Sequence, residues 1–252
     1  MAIGFSVEEG VAVITLNRPE ARNAIDGATA LELAEAVRRI NADDAIRCAV
    51  ITGAGGHFCA GMDLKAFLRG ETVRVPGQGF AGIAQAELAK PFVAAVEGYA
   101  LAGGFEIVLA CDLVVAASTA RFGLSEVKRG LVPNAGGLVR LPRQLPVKLA
   151  SELVLTGEIV EAGRLAEAGL VNRLVPEGGA LAEAMRLAGL IAANGPLAVA
   201  ISRRVLKESL EWPEAELFDR QNAITAPVFT SEDAREGAAA FVEKRKPVWK
   251  GR

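Results

Sequence analysis

The segment FVAAVEGYALAGGFEIVLACDLVVAAS, residues 92–118, limits the possible folds more than any other stretch of the chain. It is long and apolar enough to cross a bilayer. Yet Glu97, Glu106 and Asp112 interrupt it, and Gly98, Gly103 and Gly104 cut it into short pieces. Three carboxylates are costly in hydrocarbon, whereas three short elements in a packed interior can each find partners for them. The segment therefore reads as buried core. PFVAAVEG (91–98) is a buried strand, a helix opens at the Gly-Gly pair, and LVVAAS (113–118) is a second strand.

The flanking sequence extends this strand and helix alternation. Residues 3–16 alternate through Ile3, Phe5 and Val7, turn at EEG, and resume as VAVITL, the pattern of a hairpin. Ala30, Leu33, Ala34, Val37 and Ile40 recur at helical spacing over residues 28–41. CAVITG (48–53) is a buried strand ending at glycine. The first half is thus α/β. After about residue 145, alanine, leucine, glutamate and arginine dominate, and VNRLV (171–175) is the one clear strand signal. Helices are expected at 146–156, 161–168, 180–194, 196–210, 212–224 and 231–244, punctuated by Pro196, Trp212-Pro213 and Pro227, with Thr230 as a helix start. Residues 66–82, polar and glycine-rich, are expected to form a mobile surface loop.

The 252 residues fit one large domain, or one with a small appendage, and half of them are hydrophobic. A net charge of −2 gives no reason to expect nucleic acid or an anionic membrane as a partner. Cys48, Cys59 and Cys111 form no CxxC and no even framework, and MAIGFSVEEG carries no secretory pattern, so a reducing cytoplasmic location is the expectation. His57 is the only histidine, set in a glycine-rich loop without an evident orienting partner. That leaves little room for a Ser-His or Cys-His nucleophile, and none for a zinc site built on histidines. GAGG (53–56) lacks the GxGxxG and GK[ST] patterns of phosphate loops.

Carboxylates and backbone groups remain. HFCAGMDL (57–64) and ALAGGFEI (100–107) are glycine-flanked loops, each following a strand. Helix-start N–H groups lack internal partners, and glycine lets a ligand approach them. Two such groups converging on one oxygen would form an oxyanion hole; the same glycines could equally serve tight turns and close packing. Glu106 sits where a solvated face is hard to draw, so it needs a partner or a raised pKa, the condition for acid–base work. Glu126, in ARFGLSEVKRG, is either a second such carboxylate or a surface partner of Lys128 or Arg129. Asp112 is read as capping or pinning a helix end.

These residues carry a resemblance to the enoyl-CoA hydratase/isomerase (crotonase) family. It runs through ITLNRPEARNAID (14–26), FCAGMDL (58–64), residues 91–116, ARFGLSEVKRGLVPNAGGLVRLPR (120–143), residues 154–175 and EGAAAFVEKRKPVW (236–249), in the family's order. The resemblance implies a crotonase-like α/β spiral of ββα turns over residues 1–190. A helical oligomerisation region would follow over 191–252, assembling a homotrimer or a hexamer of two trimers. It implies a hydro-lyase adding water to a 2-enoyl-CoA, with Glu106 and Glu126 catalytic and the N–H groups of Met62 and Gly103 as the oxyanion hole. CoA would lie along Arg22, Ala24, Ala60, Asp63 and Leu64, with Phe241 and Lys244 reaching the nucleotide. No metal and no separate cofactor is implied, since CoA is part of the substrate. A positional isomerase, a carnitinyl-CoA dehydratase-like enzyme and a non-catalytic CoA-binding oligomer are the alternatives. Leu124-Ser125 stands where hydratases of the family often have Gln-Pro, Ala102 replaces a common glycine, and Phe105 is bulkier than usual. These departures bear on the acyl pocket more than on the fold.

Overall fold

The computed structural model describes all 252 residues. The chain opens with the expected hairpin, β1 (Ile3–Glu8) against β2 (Val11–Leu16). Helix α1 (Gly27–Ala42) starts at Asp26, whose carboxylate accepts from the Thr29 N–H. Strand β3 (Cys48–Gly53), a one-turn helix α2 (Leu64–Leu68) and a small hairpin of β4 (Arg74–Val75) with β5 (Gly79–Phe80) follow. Two ββα turns then succeed one another. The first is β6 (Phe92–Val96), β7 (Tyr99–Leu101) and α3 (Gly103–Ala110). The second is β8 (Leu113–Ala117), β9 (Arg121–Gly123) and α4 (Gly137–Gln144), which leads into α5 (Val147–Thr156). A third stretch holds β10 (Val160–Glu161), α6 (Ala162–Glu167), β11 (Arg173–Val175) and α7 (Ala180–Ala192).

The strands divide between two main sheets. One has the order β1-β2-β3-β6-β8-β11 and is parallel except for the opening hairpin; the other is β10-β9-β7. Because strand side chains alternate, the larger sheet has two buried faces. Ala49, Ile51, Ala94, Val96, Val114 and Ala116 join the main core, while Cys48, Val50, Val93, Ala95 and Val115 face the other way. That second face is covered by α7, whose Ala180, Ala184, Ala188 and Ala192 form a four-residue-spaced stripe. Alanine there lets the helix backbone lie close to the sheet.

The C-terminal helices are α8 (Pro196–Glu208), α9 (Leu217–Phe229) and α10 (Glu232–Glu243). Asp112, at the end of α3, ties α8 to the sheets. Its carboxylate accepts from the Phe92 N–H and pairs with Arg203 and Lys207. Leu206, Phe218, Phe229 and Phe241 are exposed on these helices, and Leu210 on the 3₁₀ turn that follows α8. No single helix is long and apolar enough to cross a membrane.

Three expectations need correction. Residues 66–82 are not a plain surface loop: they hold the end of α2 and the β4–β5 hairpin, and bury Ala66, Val73, Phe80 and Ala81. The helix expected at 212–224 runs instead from Leu217 to Phe229. Pro213 is extended, a 3₁₀ turn at Glu214–Glu216 delays the start, and Pro227 lies inside the last turn, where it cannot donate to the carbonyl of Ala223. Ser231, not Thr230, starts α10, its hydroxyl accepting from the Ala234 N–H.

Candidate active site

Two loops are stitched together ahead of α3. The Cys59 N–H donates to the Tyr99 carbonyl, and the Leu101 N–H donates to the Cys59 carbonyl, both at 2.9 Å. On its other side the first loop is bonded to residues 22–25, through Ala60 N–H to Arg22 O, Ile25 N–H to Gly61 O, and Asp63 N–H to Ile25 O. That pattern spends the neighbours' polar groups and leaves the Met62 N–H without an acceptor. Gly103 supplies the first N–H of α3, which no helical turn can satisfy, at the positive end of the helix dipole. Gly61 makes the approach possible. At φ +96° a Cβ on it would lie 2.9 Å from the Leu101 oxygen and 3.1 Å from the Gly103 nitrogen. The two N–H groups therefore border one cavity.

That cavity has a volume of about 550 Å³. Met62, Gly103, Glu106 and Glu126 all line it, with Phe80, Leu101, Leu131 and Val132 as apolar wall. Arg22, Thr72, Arg74, Arg129 and Asn134 make part of its lining polar. Of the other residues implied for CoA, Ala60 and Leu64 also line the cavity. Ala24 is buried beside it, and its carbonyl accepts from the Arg18 guanidinium. Asp63 is engaged structurally: one oxygen caps α2 at the Lys65 and Ala66 N–H groups, and the other pairs with Arg18. Phe241, 86% exposed, and Lys244 lie on and just after α10, outside the cavity lining of their own chain. His57 stacks on Tyr99, and the Arg22 guanidinium lies 5.6 Å from the centre of the Tyr99 ring.

The two carboxylates are held differently. Glu106, on α3 and only 3% exposed, accepts two N–H groups on one oxygen: Ala135 at 2.7 Å and Gly137 at 2.8 Å from Oε1. Burial raises its pKa, while those two bonds and the charges of Arg140 and Arg74 oppose the rise. Glu126 begins the 3₁₀ turn Glu126–Arg129 and makes no ion pair with Lys128 or Arg129, so the surface reading fails. Its Oε2 is buried without a partner. Burial, reinforced by the Glu106 charge, pushes its pKa up to about 7. Burial thus pushes both carboxyls up, but only Glu106 has N–H donors on its oxygen, while Glu126, without a partner on Oε2, stays substantially protonated at neutral pH. Two carboxyls in unlike surroundings on one cavity are what an acid and base pair requires.

Several contributors escaped the sequence reading. The Ala135 and Gly137 N–H groups that hold Glu106 lie in NAGG (134–137), a pattern whose signal was a glycine pair three residues before an arginine. Phe80 was hidden in the polar stretch 66–82; its ring lies 2.5 Å from where a Cβ on Gly103 would sit, so the Gly103 position is also a packing requirement. No group of three or more His, Cys, Asp or Glu side chains is arranged to hold a metal ion.

The sequence model of the enoyl-CoA hydratase/isomerase family matches residues 6–252. The chain is 45% identical over 251 residues to the enoyl-CoA hydratase EchA19 of Mycobacterium tuberculosis, covering 95% of this chain and 93% of that one. It is 44% identical over 248 residues to a carnitinyl-CoA dehydratase of Escherichia coli K12, covering 95% and 94%. The crystal structure of an enoyl-CoA hydratase from Mycobacterium tuberculosis H37Rv superposes with a TM-score of 0.97 at 50% identity, over 100% of this chain and 99% of that one.

Proposed function

Since the chain belongs to the enoyl-CoA hydratase/isomerase family and has the crotonase fold, we propose that it reversibly hydrates the 2,3 double bond of a 2-enoyl-CoA, giving a 3-hydroxyacyl-CoA. The observation that carries this reading is the pair of unlike carboxyls, Glu106 and Glu126, on one cavity with two free N–H groups. The Met62 and Gly103 N–H groups polarise the thioester carbonyl, each contributing about 10²–10³ in rate. Conjugation transmits that demand to the β-carbon. Glu106, fixed through Oε1, takes a proton from water as the oxygen bonds to the β-carbon. Glu126, neutral below about pH 7, delivers its proton to the α-carbon. Proton exchange with solvent then resets the pair. Acid–base assistance of this kind supplies roughly 10²–10⁴. The thioester is itself the activating group, so the scheme calls for no metal or further cofactor.

In this proposal CoA runs from the thioester past Ala60 and Leu64 toward Arg22. The exposed apolar residues of α8–α10 are covered in a homotrimer or hexamer in the cytoplasm, and Phe241 and Lys244 approach a neighbour's nucleotide. A second reading is the reverse reaction, dehydration of a hydroxyacyl-CoA with a polar acyl chain. The polar lining at Thr72, Arg74, Arg129 and Asn134 favours it, as does the 44% identity to a carnitinyl-CoA dehydratase.

The test is loss of enoyl-thioester ultraviolet absorbance across a panel of acyl chains, with solvent deuterium incorporation at the α-carbon, for wild type, Glu106→Gln and Glu126→Gln. Each variant should lose most hydration, and the double variant should lose far less than the product of the two. Near-normal hydration by Glu126→Gln would move the assignment to a one-carboxylate isomerase.

A further inference from the structure

The segment Ala135–Gly137 has Glu106 on one side and an arginine on the other. Ala135 and Gly137 both donate their N–H groups to Glu106 Oε1. The carbonyl of the same Ala135 accepts from Arg140 Nη1 at 3.4 Å. Between them Gly136, at φ +128°, brings the backbone so close to the guanidinium that a Cβ there would lie 2.4 Å from Nη1. Arg140 is half-buried in α4 and forms no ion pair, although Arg143 on the same helix pairs with Glu211. A half-buried guanidinium without a carboxylate partner is unusual, because its desolvation is then offset only at a distance.

We propose that Arg140 is a positioning residue for Glu106, acting through the Ala135–Gly137 segment. It holds the Ala135 carbonyl turned toward itself, which aims the flanking N–H groups at Oε1, and its charge compensates the ionised carboxylate across a single peptide layer. Three groups face Glu106 from packed elements: Arg140 from α4, Arg74 from β4, and the Glu126 carboxyl from its 3₁₀ turn. Arg74 is exposed and water-screened, and a carboxyl such as Glu126 cannot favour ionisation, so Arg140 is the half-buried cation favouring the charged form. The Cys111 thiol, at the end of α3, faces Arg140 too, but burial keeps it neutral.

The inference rests on Glu106 being the base of the proposed hydration, yet it can be read without turnover. Carboxyl-¹³C glutamate labelling, with Glu106→Gln to assign the resonance, follows the Glu106 titration in wild type, Arg140→Met and Arg140→Lys. The methionine keeps length and loses charge; the lysine keeps charge and loses the planar fork. In Arg140→Met the Glu106 titration should move up by about one pH unit, and the acidic limb of hydration should move with it. That is roughly a tenfold loss of rate on the acid side, against little at high pH. Arg140→Lys should titrate close to wild type. An unmoved titration in Arg140→Met, or an equal displacement in both variants, overturns the inference. If Arg140→Met does not fold, Arg140→Gln replaces it in the same comparison. A wild-type protein that hydrates no 2-enoyl-CoA, while the titration still moves, refutes the hydratase reading and leaves the positioning role standing.

Discussion

Replacing Glu126 by glutamine should inactivate the protein and stabilise it, and the stabilisation should depend on pH. In the folded chain the Glu126 carboxyl titrates near pH 7, against an ordinary 4.5, because burial disfavours its charge and Glu106 adds to the penalty. Below about pH 4.5 the group is neutral in folded and unfolded chains alike, so it contributes no pH dependence. Between about 4.5 and 7 the unfolded chain releases the proton and the folded chain keeps it, so stability falls as pH rises. Above about 7 both forms are ionised and the full penalty is present. The gap corresponds to at most about 3.4 kcal/mol. The side chain is only half-buried, so solvent screening reduces the realised figure to about 1 kcal/mol. Glutamine keeps the shape and lacks the charge, so Glu126→Gln should be more stable than wild type by about 1 kcal/mol at pH 8. That is roughly 2–4 °C in Tm for a chain of this size. Near pH 4.5 the difference should vanish. The assay is denaturant unfolding at fixed protein concentration from pH 4.5 to 8.5, beside enoyl-CoA hydration, which should fall by about 10²–10⁴. A stability difference that stays constant across this range, or a variant less stable than wild type at pH 8, would refute the reasoning about where the proton sits.

Ala102 precedes α3 at φ +51°, ψ −125°, a region costing a non-glycine residue about 1–3 kcal/mol. Ala102→Gly should therefore raise the unfolding free energy by about 1 kcal/mol net of glycine's added chain entropy, with activity retained; a loss of stability would count against strain there. Gly61→Ala should cut hydration by at least about 10²-fold, because a Cβ would press on Leu101 and Gly103 and displace the Met62 N–H. Gly56→Ala, with open space around its Cβ position, should cost some stability and little activity, and comparable kinetic losses in both would overturn the steric argument. Asp112→Asn should loosen α8 by weakening the bonds to Arg203 and Lys207, read as faster amide exchange in residues 196–208 with exchange in β6 nearly unchanged.

The parts of the fold legible in the sequence are those set by local periodicity. The strands 48–53, 92–96 and 113–117 are apolar on both faces, and α1 shows its buried stripe, so each is found where pattern alone places it. Glu106 stood out because no solvated face could be drawn around it. Glu126 was ambiguous for a physical reason: a carboxylate two residues from a lysine and three from an arginine looks paired until geometry turns it inward. The wall at residues 66–82 was illegible because its glycines and charges are those of an exposed loop, while Val73, Phe80 and Ala81 are buried by contacts far away in sequence. The cradle of Glu106 was illegible for a related reason. It is built from backbone N–H groups, and these belong to every residue.

The stitched loops have a consequence for how such a site can change over time. The Met62 and Gly103 donors belong to strips of backbone hydrogen-bonded to each other at Cys59 and, through Ile25, to the segment beyond. Their separation is set by that backbone pairing and by the lack of a Cβ at Gly61. The opposite wall is built otherwise: the β4–β5 hairpin is a two-by-two-residue ladder whose Arg74 and Phe80, with Thr72 just before it, reach the cavity. Mutation at Thr72 or Arg74 can reshape that wall without touching the Met62–Gly103 corner, whereas Phe80 packs on Gly103. For the proposed reaction, new acyl groups can thus be tried one residue at a time at these two positions, while the pair of backbone donors is inherited whole.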